Sequence, residues 1–120
     1  DRQEEGTMQA KRIKTRKDFD AEVGKGPRLA LFYSSWCPFC SSFIPYFDSL
    51  SCGPEGCLIK VCTDDIPELE DLFAIEVVPT VIYFSSGKPA ARLDGELGRG
   101  LTGEKLRAFA ERHLPGKGGK

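Results

Sequence analysis

Cys37 and Cys40 stand three residues apart with Pro38 and Phe39 between them, directly after Trp36. The residues before them end an apolar run, Leu29 to Tyr33. The residues after them repeat aromatic side chains at helical spacing. This pattern places the pair at a joint where a strand feeds a helix. A helix N-terminus carries partial positive charge and unpaired N–H donors. A thiol placed there is favoured as its thiolate, the reactive form in disulfide exchange, and Cys37 is expected to be exposed. Pro38 suits the first helical turn, where its fixed φ fits and its missing N–H is not needed. Two intervening residues put the sulfurs within disulfide reach. The pair reads as a redox-active dithiol, with a structural disulfide or half of a zinc site as the alternatives.

The elements that must hold the pair follow from the hydrophobic pattern. Gln9 to Lys14 suits a short edge strand, and Thr15 can cap a helix over Arg16 to Val23 that buries Phe19 and Val23. Leu29 to Tyr33 is a continuous apolar run, as in a central strand buried on both faces. After the cysteines, Phe39, Phe43, Phe47 and Leu50 form one helical stripe, and Pro45 should kink that helix. Leu58 to Cys62 is a second central strand carrying Lys60. Asp64 and Asp65 ahead of Pro67 signal a short helix with Leu69, Leu72 and Phe73 on its apolar side. Val77 to Phe84 reads as a strand with Pro79 near its start. Ser85 to Lys88 turns the chain back into Ala90 to Leu93. Thr102 caps a last helix burying Leu106, Phe109 and Leu114. The order β-α-β-α-β-α-β-β-α implies an α/β domain, a central mixed sheet covered by helices on both faces. Residues 1–8 read as a flexible N-terminal segment, 9–114 as the one domain and 115–120 as a disordered tail.

The 120 residues carry a net charge of −1, which gives no general attraction to nucleic acid or anionic membrane. No apolar run approaches the roughly 20 residues of a membrane span. Five cysteines are an odd count, and fit a cytoplasmic redox or metal protein better than a disulfide-stapled secreted domain. Removal of a leader before Asp1, and with it an oxidising compartment, stays open. Cys52 and Cys57 flank a Gly-Pro-Glu-Gly turn, so a second disulfide, two free thiols or a regulatory pair are all open there. Cys62 reads as a core thiol. A zinc site of Cys37, Cys40, Cys52 and Cys57 would need the loop to fold over the helix start, and His113 lies at the far end of the chain, so no metal is expected. His113 reads as a surface residue at a helix C-terminus.

Over roughly residues 9 to 114 the sequence resembles the thioredoxin family. The resemblance rests on Trp36-Cys37-x-x-Cys40, Pro45, Lys60, Asp64 with Pro67, Val78-Pro79-Thr80, Gly87 and Gly95. It implies the thioredoxin fold and a monomeric protein-disulfide oxidoreductase without a cofactor. Its substrates would be protein disulfides, and a dithiol or flavin-dependent reductase would recycle it. Cys37 would be the nucleophile and Cys40 the resolving thiol. Trp36, Pro38, Phe39, Val78 and Pro79 would form the substrate surface, with Pro79 cis, its ring beside the sulfurs, and the Val78 backbone open to a substrate strand.

Two departures stand out. The family carries a buried Asp six residues before the first cysteine, where this chain has Leu31. Lys60 thereby lacks the family's partner and is expected to snorkel, and resolution by Cys40 is expected to be slower or to use water or substrate. The Pro-Phe dipeptide leans toward glutaredoxins, although their double-glycine glutathione segment is missing. CxxC proteins span roughly 150 mV, about 7 kcal/mol for two electrons. Phe39 in place of the family's proline points to a poise more oxidising than an ordinary thioredoxin. A non-catalytic binding module of the same fold and a glutathione-dependent reductase are the alternative functions.

Overall fold

The computed structural model describes residues 10–50, 57–96 and 99–114. Along the chain come β1 (Lys11–Ile13), α1 (Arg16–Val23), β2 (Arg28–Tyr33), α2 (Pro38–Asp48) and β3 (Leu58–Cys62). After them come α3 (Glu68–Leu72), β4 (Thr80–Ser85), β5 (Lys88–Asp94) and α4 (Gly103–His113). These strands form one sheet in the order β1-β3-β2-β4-β5. β2 pairs parallel with β3 and antiparallel with β4, and β1 is parallel to β3. The two termini and residues 51–56, with Cys52, lie outside the described residues. Among the described residues no helix is long and apolar enough to cross a membrane.

Alternation along the central strands sorts the core into two halves. Leu29, Leu31 and Tyr33 of β2 face the layer of α2 and α4, with Phe43, Phe47, Leu106 and Ala110. Ala30 and Phe32 face the opposite layer, with Phe19 of α1 and Leu69 of α3. There Phe19, Phe32, Phe73 and Phe84 meet ring against ring, at centroid distances from 5.3 to 6.2 Å. Every residue of β2 is buried, which is why its sequence is an unbroken apolar run after Arg28.

Several expectations need correction. β4 starts at Thr80, so Val77 to Pro79 precede the ladder instead of opening it. β5 is longer than Ala90 to Leu93. Leu72 is exposed, and Leu69 is the one buried residue of the five-residue α3. Asp64 and Asp65 lie in the turn before α3, which is capped at Pro67. Their carboxylates take Ser35 and Arg12 instead of the helix start. His113 stacks on Tyr83 and packs on Phe109 at 5.3 and 4.7 Å, so it is half-buried.

Thr15 caps α1 through a hydrogen bond from the Asp18 amide. The same helix carries a buried carboxylate, Glu22, that accepts from Lys11 at 2.8 Å, Arg28 at 3.0 Å and Lys25 at 3.1 Å. Burial raises the pKa of this carboxyl, but the three cationic donors outweigh it and bring it from 4.5 down to about 2. The folded state thus binds this proton less readily than the unfolded chain. The stabilisation is complete above the unfolded value and is lost as pH falls through the folded one. On the order of 3 kcal/mol of stability should disappear between about pH 5 and about pH 2. Glu22→Gln should flatten that slope in urea titrations taken across the range; an unchanged slope would show that the acid sensitivity lies elsewhere.

Candidate active site

Cys37 is the N-cap of α2, with φ −90° and ψ 118°, and Pro38 opens the helix. The Cys37 carbonyl accepts from the amides of Cys40 and Ser41, each at 3.1 Å, so the first turn holds the two cysteines in fixed relation. The side chain of Cys37 makes no capping hydrogen bond. Its thiol instead points at the Val78 carbonyl oxygen, 4.0 Å away. Cys37 is 7 % exposed, not open as expected, because Val78, 41 residues along the chain, packs against the helix start. Cys40 is fully covered at 0 %. Both cysteines are buried, and Cys37, at the start of the helix, keeps the little exposure the pair has.

Cys40 sits in an apolar cluster with Leu31, Phe43, Val81 and Leu106. Its sulfur accepts the Ser34 amide at 3.5 Å. Burial pushes its thiol up to about 12, the hydrogen bond and charge of Cys37 and the charge of Cys62 add to the rise, and the Ser34 amide offsets part of it. The inner sulfur is thus held as a thiol until something changes around it. Cys37, Cys40 and Cys62 carry free thiols, whereas Cys57 is disulfide-bonded. Cys52, the partner considered for it from the sequence, lies outside the described residues.

Around the sulfurs, Trp36 is 76 % exposed and Pro38 is exposed. Phe39 is exposed as well, and so leaves the core stripe the sequence assigned it to. The Val78–Pro79 peptide is cis, and Pro79 is buried. Gly95 follows β5 directly against the Pro79 carbonyl, where a Cβ would collide with that oxygen. The fold thus brings Trp36, Cys37, Pro38, Phe39, Val78 and Pro79 to one end of the sheet. Among the described residues, no group of three or more His, Cys, Asp or Glu side chains is placed to hold a metal ion.

Lys60 does not snorkel. Alternation on β3 puts it on the same face as Leu58 and Cys62, and its ammonium reaches Asp48 at the end of α2 at 3.1 Å. Leu31, its register partner on β2, is fully buried. The sequence ties Asp64 only to the start of α3, yet it stands beside the site. Its Oδ2 accepts from Ser35 Oγ at 3.1 Å and from the Cys62 thiol at 3.7 Å. Sequence reasoning misses Ser34, Ser35 and Asp48 altogether. A serine that acts through its backbone leaves no mark in a sequence, and Ser35 and Asp64 are 29 residues apart.

With this geometry in view, comparison with known proteins gives a consistent result. The family model described as Thioredoxin matches residues 10–111. The chain is 28 % identical over 102 residues to a thioredoxin of Staphylococcus aureus, covering 83 % of this chain and 94 % of that protein. Among solved structures it is similar to a mutant thioredoxin from Halobacterium salinarum, with a TM-score of 0.76 and 19 % identity over 90 % of this chain and 93 % of that one. The oxidised thioredoxin of Plasmodium falciparum gives a TM-score of 0.76 at 20 % identity, over 88 % and 98 % of the two chains.

Proposed function

The chain belongs to the thioredoxin family of protein-disulfide oxidoreductases, and on that premise we propose that Cys37 attacks protein disulfides and Cys40 resolves the product. The Cys37 thiolate attacks one sulfur of the target disulfide, forms a mixed disulfide and releases the other target sulfur as a thiolate. Cys40 then loses its proton and attacks Cys37 Sγ. The Cys37–Cys40 disulfide forms and the second target sulfur leaves. A dithiol or flavin-dependent reductase returns the pair to the dithiol state.

The observation that carries this reading is the pairing of an outer sulfur at the helix start with a fully buried one beneath it, its pKa raised by burial. A buried thiol held protonated cannot compete for the target, so the first attack falls to Cys37. Trp36, with Phe39 and Pro38 beside it, offers the target a flat apolar surface next to that sulfur. Val78 lies outside the β4 ladder, which leaves its backbone as the edge on which an extended target can lie.

Cys40→Ser tests the order of events. Incubated with insulin, this variant should accumulate a covalent adduct, and peptide mapping should place the bond on Cys37. No adduct, or an adduct on Cys62, would overturn the assignment.

A further inference from the structure

We propose that the Ser34 hydroxyl is a hydrogen-bond donor to the Cys40 thiolate during resolution. The proposal rests on the roles given above to Cys37 and Cys40. Ser34 is 2 % exposed. Among the described residues its Oγ is the one buried side-chain nitrogen or oxygen with no hydrogen-bond partner. A buried hydroxyl without a partner is destabilising, and an alanine there would avoid that cost. The same residue already touches the reacting sulfur through its amide, at 3.5 Å. Approach of the hydroxyl to Cys40 Sγ requires one of the two staggered rotamers in which the serine oxygen lies gauche to that same nitrogen.

The surroundings leave little else for this work. β2 contributes Leu31 and Tyr33, β4 Val81, and α4 Leu106 and Ala110. Among the described residues, the titratable groups that act on the Cys40 thiol are Cys37 and Cys62. The Cys62 thiol is already directed to Asp64, and Lys60 is paired with Asp48. With the burial that holds Cys40 protonated, the thiolate needs a donor that is idle in the dithiol state, and Ser34 Oγ is idle. In the step itself the Cys40 S–H bond breaks, its sulfur bonds to Cys37 Sγ, and the Cys37–target S–S bond breaks. The departing target thiolate takes up the proton. Ser34 keeps its own proton throughout and lends only a hydrogen bond.

The test uses the mixed disulfide of Cys37 with 5-thio-2-nitrobenzoate, whose release is followed by absorbance. Ser34→Ala should release the dye about tenfold more slowly at neutral pH, the effect of losing one hydrogen bond to a charged group. A second reading separates chemistry from packing. With Cys37 carbamidomethylated, alkylation of Cys40 at about pH 9 should be about tenfold slower in Ser34→Ala than in the parent, the fall in thiolate fraction that the lost hydrogen bond implies. Ser34→Thr should restore the parent value, and the thermal midpoint of Ser34→Ala should be unchanged or higher. Unchanged release, or slower release with an unchanged rate of Cys40 alkylation, would overturn the proposal. Continued intramolecular release by Cys40→Ser would instead overturn the assignment of Cys40 on which it rests.

Discussion

Cys37→Ser is expected to lower single-turnover insulin reduction by more than about a thousandfold, to the uncatalysed rate, while leaving the fold as stable as before or more so. The loss follows from the chemistry of the attacking atom: a serine hydroxyl at neutral pH is neither ionised nor a partner for sulfur exchange. Retained stability follows from position. Cys37 is the N-cap of α2 and makes no capping hydrogen bond. Serine is among the best N-cap residues, and its Oγ can take one of the unpaired amides of the first turn, a gain of about 0.5 to 1 kcal/mol. Stopped-flow reduction and thermal melts of the same preparation check both halves. Residual activity above background would move the nucleophile to another sulfur, and a marked fall in melting temperature would mean that the Cys37–Val78 contact carries more of the fold than its 4.0 Å suggests.

Leu31→Asp is expected to destabilise the protein by about 4 kcal/mol or more and, in the fraction that stays folded, to accelerate resolution by at least about tenfold. Leu31 is fully buried in the cluster that holds Cys40. Replacement removes apolar packing and puts a carboxyl where its charge has no ready partner, because the neighbouring Lys60 is bound to Asp48. Desolvation would hold that carboxyl partly protonated at neutral pH, the range in which an acid–base group exchanges a proton with a thiol. Urea titrations report the first effect and dye release from the Cys37 mixed disulfide the second. A variant that loses stability and gains no rate would show that the Cys40 proton leaves by a route indifferent to an acid at this position.

The parts of the site that were legible in the sequence are those fixed by local chain geometry. Cys37, Pro38 and Cys40 belong to one turn of helix, so their spacing already states their relation. The buried run Leu29 to Tyr33 and the phenylalanines of α2 declared the central strand and the helix that covers it. What stayed hidden depends on how distant segments meet. Lys60 could be seen to need an anion, yet Asp48 became that anion only through the packing of α2 over β3. The cover on Cys37 comes from Val78, which the family resemblance places near the site without saying which atoms touch. Phe39 fitted the apolar stripe by count but lies at the helix end, where the stripe runs past the core and out to solvent.

Phe39, the second of the two residues between the cysteines, is also fastened to a distant part of the chain. Gly100, at φ +74°, passes so close to Phe39 that a Cβ there would come within 2.8 Å of the Phe39 Cβ, and a Cβ on Gly103 would come within 2.7 Å of the Tyr46 ring. The approach to α4 is thus seated on two aromatic side chains of α2. The dipeptide is consequently not a cassette that can be exchanged to retune the potential in isolation. Grafting the family's more usual pair would unseat the approach to α4 as well, so a potential measured on such a graft would report two changes at once, and a clean comparison requires the bulk at position 39 and the glycine at 100 to be altered together.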